Sequence, residues 1–101
     1  MLESPTLVQF GNFFYLFYNL SRVGEHYRIG ESPTGPWGEP IPFQPGWAHE
    51  FWQDPQNNLF TSYLTDYTAS IRPLIWDTSK HPPNPIIEET SKYFFPFIQS
   101  K

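Results

Sequence analysis

The chain has 101 residues, a formal net charge of −4, six Lys and Arg together, and no cysteine. That length allows one small domain with a modest core and excludes disulfides and thiolate metal sites. The acidic balance argues against nucleic acid, which needs a basic footprint.

Twelve prolines leave little uninterrupted helical length. Aromatic residues at 20% against 16% charged are the reverse of a disordered composition. They point to short strands joined by stiff turns, and to a sugar-binding surface or a large interface. Pro5 to Phe10 predicts a first strand, closed by a tight Gly11-Asn12 turn. Phe13 to Tyr18 is bulky throughout, as expected for a strand buried on both faces. Glu25 to Glu31 makes a third strand. A Ser32-Pro33-Thr34-Gly35-Pro36 turn then leads to a short fourth at Trp37 to Phe43. The pattern repeats with Ala48 to Gln53, an Asp54-Pro55-Gln56-Asn57 turn, Asn58 to Thr65, and Ser70 to Asp77. Pro82-Pro83-Asn84-Pro85 reads as a stiff spacer, Ile86 to Glu88 as a closing strand, and Tyr93 to Phe97 as an apolar tail. No apolar run approaches a membrane span. Residues 1–5 lack the basic and apolar stretches of a signal peptide. The absence of cysteine leaves the compartment open.

Laying Tyr15-Leu16-Phe17-Tyr18 over Phe60-Thr61-Ser62-Tyr63 gives a shift of 45 residues, from 15 to 60. Four strands in about 45 residues is the period of a β-propeller blade. A generic antiparallel sheet or sandwich is the alternative. The expected fold is all-β: a partial propeller of two four-stranded antiparallel blades at 1–45 and 46–90, with a tail at 91–101.

Specific words favour the propeller. Glu3-Ser4-Pro5-Thr6-Leu7-Val8, a turn, then Phe14-Tyr15-Leu16-Phe17-Tyr18 resembles a blade of glycoside hydrolase family 43, and related family 32 shares the acid-small-Pro element. Tyr27-Arg28-Ile29-Gly30 with Ser32-Pro33-Thr34-Gly35-Pro36-Trp37 is similar to that family's third strand and following turn. Gly46-Trp47-Ala48-His49-Glu50 with Ser62-Tyr63-Leu64 looks like the next blade, and Ile71-Arg72-Pro73-Leu74-Ile75-Trp76-Asp77 like its third strand. The resemblance covers residues 2–77. It implies the last two blades of a five-bladed propeller with a sugar site in a central funnel. The family's aspartates of the first and middle blades have no counterpart here.

On that resemblance Glu3 matches the general acid of glycoside hydrolysis. The chemistry also needs a second carboxylate, roughly 5 to 9.5 Å away. The alternative is a solvated terminal residue. His49 resembles a histidine near the family's central water or metal position, and calcium is the metal the resemblance admits. A single imidazole is not itself a calcium site, because calcium takes roughly six to eight oxygen ligands. The alternative is a hydrogen-bonded structural histidine. Strand alternation turns Glu50 away from it. Trp47 is a candidate stacking platform for a sugar ring, or else inter-blade core. Arg28 is a candidate sugar contact or, with Arg72, a partner for a carboxylate. Trp37 and Trp76 read as core, Trp52 as either, and Asp54, Asp66 and Asp77 as turn residues.

Two blades alone leave open apolar faces, so self-association is expected, with a dimer the simplest closed symmetry and the 93–97 tail a candidate cover. The expected function is hydrolysis of glycosidic bonds in a polysaccharide with Glu3 as acid. The alternative is a non-catalytic carbohydrate-binding or structural oligomer.

Overall fold

The computed structural model describes residues 2–20, 24–44, 46–65 and 68–88, with side chains from residue 5 onward. Asp66 and the apolar tail at 93–97 lie outside the described residues. Eight strands form: β1 (Leu2–Phe10), β2 (Phe13–Leu20), β3 (Gly24–Gly30), β4 (Ile41–Pro42), β5 (Trp47–Gln53), β6 (Leu59–Thr65), β7 (Thr68–Asp77) and β8 (Asn84–Ile87). They make two antiparallel four-stranded sheets, ordered β1-β2-β3-β4 and β5-β6-β7-β8. No helix occurs among the described residues.

Several boundaries differ from expectation: β1 starts three residues early, at Leu2, and β2 runs two residues further, to Leu20. The fourth strand is only Ile41–Pro42, because Pro36, Pro40 and Pro42 bring no backbone donors to a ladder. Trp37 instead makes an isolated bridge to Gly30. β7 starts two residues early, at Thr68. β8 starts at Asn84, inside the expected spacer, with Pro85 opposite Trp76. β7 pairs β6 as far as Pro73 and pairs β8 from Leu74 onward. A proline has no N–H for the ladder, so it fits at that handover.

The two sheets are copies of each other in register. In the first, Glu3 pairs Asn19 and Thr6 pairs Phe17, which leaves one extra residue in β1. In the second, Trp47 pairs Leu64 and Glu50 pairs Ser62, which leaves one extra residue in β5. The bulges coincide when β1 is moved by 44 residues (3 to 47) and β2 by 45 (19 to 64). The third strands follow: Arg28 lies opposite Leu16, and Arg72 opposite Thr61. A β-bulge re-aims the chain beyond it, so both sheets open on edge strands bent at the same place.

One face of the first sheet carries Val8, Tyr15, Phe17 and Tyr27, and the second sheet packs on it through Phe51, Tyr63, Leu74 and Trp76. Phe17 is fully buried, its ring 4.4 Å from Phe51 and 5.0 Å from Phe43. Trp76 stacks on Phe10 at 4.4 Å and leans on Tyr15 at 4.7 Å. The Tyr15 hydroxyl donates to the Pro83 carbonyl, tying β2 to the turn before β8.

Gly46 precedes β5 with φ +81°, and a Cβ there would lie 2.5 Å from the Tyr63 ring and 2.6 Å from the Leu64 carbonyl oxygen. Strained backbone and overpacking add, so Gly46→Ala will cost about 2–4 kcal/mol, read from urea unfolding midpoints.

Burial, and secondarily the neighbouring Tyr27, push the Tyr15 phenol from 10.0 up to about 12. Burial also raises Tyr27. A folded pKa above the unfolded value favours the native state while both forms are protonated. That stability is intact below about pH 10 and is lost as pH rises towards 12. Unfolding midpoints will therefore fall across that window. Tyr15→Phe will flatten much of the fall, at a loss of about 1 kcal/mol near neutrality for the missing hydrogen bond.

Candidate functional site

The bulge sorts the residues at the start of β5. Ala48 sits within it at φ 59°, a conformation that costs a non-glycine residue about 1 kcal/mol or more. Trp47 before it is 40% exposed, and His49 after it is 1% exposed. His49 lies between the rings of Phe43 and Tyr63, each centroid 5.1 Å away. Its Nδ1 is 3.3 Å from Glu25 Oε1, and its backbone N–H donates to the same oxygen at 3.5 Å. Glu25, on β3, is equally buried, and its Oε2 has no hydrogen-bond partner among the described residues. Glu25 also anchors the chain through its carbonyl, which accepts from the Phe43 N–H at 2.9 Å. His49 thus pins β5 to β3. A carboxylate beside Nδ1 orients an imidazole, and here that orientation holds two sheets together.

Glu25 belongs to a row. Glu3 pairs Asn19, and Asn19 pairs Glu25, so the three stand side by side across β1, β2 and β3. In the second sheet the matching row is Trp47, Leu64 and Ala69. Glu3 and Trp47 therefore occupy equivalent positions at the start of β1 and β5, two edge strands that pack against each other. The Glu3 side chain lies outside the described atoms.

Arg28 is not part of this group. It stands on the opposite face of the first sheet, with Nε donating to Tyr18 Oη at 3.2 Å and Nη1 to the Gly38 carbonyl at 3.2 Å. Arg72, its counterpart in the repeat, faces the first sheet and donates to its neighbour's carbonyl, Ile71 O, at 3.4 Å. Among the described residues both guanidiniums donate to neutral oxygens, not to the expected carboxylates. Their backbone neighbours already offer carbonyls at each site.

The other expectations divide. Trp76 is core, and Trp37 closes against Gly30. Trp52 is 40% exposed and stacks on Phe60 at 4.6 Å. Asp54 accepts from the Asn58 side chain and from the backbone N–H groups of Gln56 and Asn58, which hold its carboxyl below the usual range. The hydroxyl and N–H of Ser79 do the same for Asp77. Both are turn residues. Glu50 is exposed on the face away from His49, as strand alternation requires.

Calcium does not fit at His49. The imidazole is packed among rings with one carboxylate beside it, and no cluster of three His, Cys, Asp or Glu that could hold a metal occurs among the described residues. A cleft of about 730 Å³ lies further along the strands between Thr6–Phe10 and the β5–β6 turn, and none of Glu3, Arg28, Trp47 and His49 lines it.

Sequence reasoning missed Glu25 and Asn19. Glu25 precedes core residue Tyr27 by two positions, so it shares that residue's buried face, a signal visible in the alternation of β3. Comparison with protein-family models, with curated proteins and with solved structures finds no match.

Removing one partner of a buried polar pair strands the other. Glu25→Leu or His49→Leu alone will each cost about 3 kcal/mol. The double variant will lose clearly less than the sum, measured as a double-mutant cycle in urea.

Proposed function

We propose that this chain is two neighbouring blades of a β-propeller related to glycoside hydrolase family 43, with a carbohydrate site where β1 and β5 begin. The register repeat carries the reading: two bulged edge strands lie together, and Glu3 and Trp47 stand at matching positions near their starts. An exposed indole offers a flat apolar face that suits the C–H face of a sugar ring. On this reading Glu3, at the matching backbone position of the adjoining strand, is the acid that protonates a leaving glycosidic oxygen.

Hydrolysis also requires a second carboxylate, to activate water or to attack the anomeric carbon. Glu25 is committed to His49, and Asp54 and Asp77 to turns. On this reading the second carboxylate comes from another subunit in the assembled funnel. A non-catalytic carbohydrate-binding role is the second reading, favoured by the exposure of Trp47, since stacking needs no second carboxylate.

Aryl glycosides and xylo-, arabino- and fructo-oligosaccharides separate the two. For the hydrolase, Glu3→Gln will abolish turnover and leave oligosaccharide binding within about twofold. For the binding module, calorimetry will show binding without turnover. In either case Trp47→Ala will weaken binding by about tenfold, or roughly 1.4 kcal/mol. Turnover retained in Glu3→Gln removes the acid role, and absence of binding to all three sugars removes the carbohydrate reading.

A further inference from the structure

Among the described residues six large apolar side chains are more than 40% exposed or close to it, and five of them stand on one surface. Trp47, Trp52, Leu64, Ile75 and Ile86 all lie on the face of the second sheet turned away from the first. Trp52 stacks on Phe60 there, and Ile75 lies directly opposite Ile86. An apolar surface of this kind on a small chain marks an interaction site.

The internal repeat says what covers it. Moved through the repeat, Trp52 falls on Val8, Phe60 on Tyr15 and Leu64 on Asn19. Those three belong to the face of the first sheet on which the second sheet packs. The exposed face is thus the counterpart of a face that is already covered within the chain. The covering surface has a counterpart too. Phe51, Tyr63 and Arg72 correspond to Leu7, Tyr18 and Arg28, on the outer face of the first sheet. Leu7 is the sixth exposed apolar side chain. The two outer faces also carry opposite charge, with exposed Glu50 on one and Arg28 on the other.

We propose that a second copy of this chain docks head to tail, laying the outer face of its first sheet on the outer face of the second sheet in the same geometry as the intrachain contact. The interface is heterologous, so repetition builds a ring or an open stack. The contact is specific. Within the chain, Phe51 packs on Phe17. Their counterparts are Leu7 and Ser62, so Leu7 of one copy meets Ser62 of the next. This inference needs no ligand and no catalysis, but it shares Trp47 with the sugar reading, because Trp47 stands at the end of the face that the second copy covers.

The chain has no cysteine, which permits a direct test on the full chain. Light scattering of the wild type at micromolar concentration will give a multiple of 11.9 kDa. Single variants Leu7→Cys and Ser62→Cys, mixed under mild oxidation, will form the mixed disulfide in large excess over either homodimer. Leu7→Glu and Ile75→Glu, both at exposed positions, will each lower the assembly state alone, and an equimolar mixture of the two will recover a one-to-one complex. A monomer at every concentration overturns the proposal. So does the Ser62→Cys homodimer as the main disulfide product, or self-association unaffected by Leu7→Glu, because either outcome means that the second sheet pairs with itself or with another occupant.

Discussion

The contact on which the molecule depends is β5 lying across one face of the first sheet. Among the described residues the two sheets share no ladder, and no backbone–backbone hydrogen bond joins them. Side chains do that work, chiefly Phe17, whose ring meets Tyr27, Phe43 and Phe51 at 5.4, 5.0 and 4.4 Å. Aromatic pairs of this kind contribute about 0.5–1.5 kcal/mol each beyond their buried area. In so short a chain they are a large share of the margin between folded and unfolded states.

Ring packing alone tolerates sliding, because dispersion is non-directional. Glu25 and His49 add a directional contact inside the same interface, one partner from each sheet. Burying both groups carries a desolvation cost, and the return is a defined placement of β5 rather than a large gain in stability. The bulge at Ala48 makes that contact possible. It turns His49 into the interface and leaves Trp47 outside. A structural latch and a candidate sugar platform thus arise from three consecutive residues.

The repeat explains the asymmetry of the two surfaces. The same scaffold position carries Glu3 or Trp47, Asn19 or Leu64, Glu25 or Ala69, and Val8 or Trp52. The polar row lies in the sheet that is covered, where buried Glu25 finds His49. The apolar row lies in the sheet whose face is open. Exposed rings there and a buried carboxylate within are two outcomes of one register, decided by whether a neighbouring sheet is present.

The sequence by itself determined the strands, their antiparallel order and the repeat. Period-two alternation, Gly-Asn and Asp-Pro turns and dense prolines are local signals, and local signals survive in a linear reading. It also marked Trp76 as core and Asp54 and Asp77 as turn residues, because each has neighbours that state its role. Prolines blurred β4 and β8, where a missing N–H limits pairing but does not forbid it. Only the tertiary structure decided that His49 meets Glu25, that Arg28 faces away from β5, and that five apolar side chains share one surface. Those facts depend on which face of one sheet meets which face of another. A strand's alternation separates its two faces but does not say which of them a distant segment will cover.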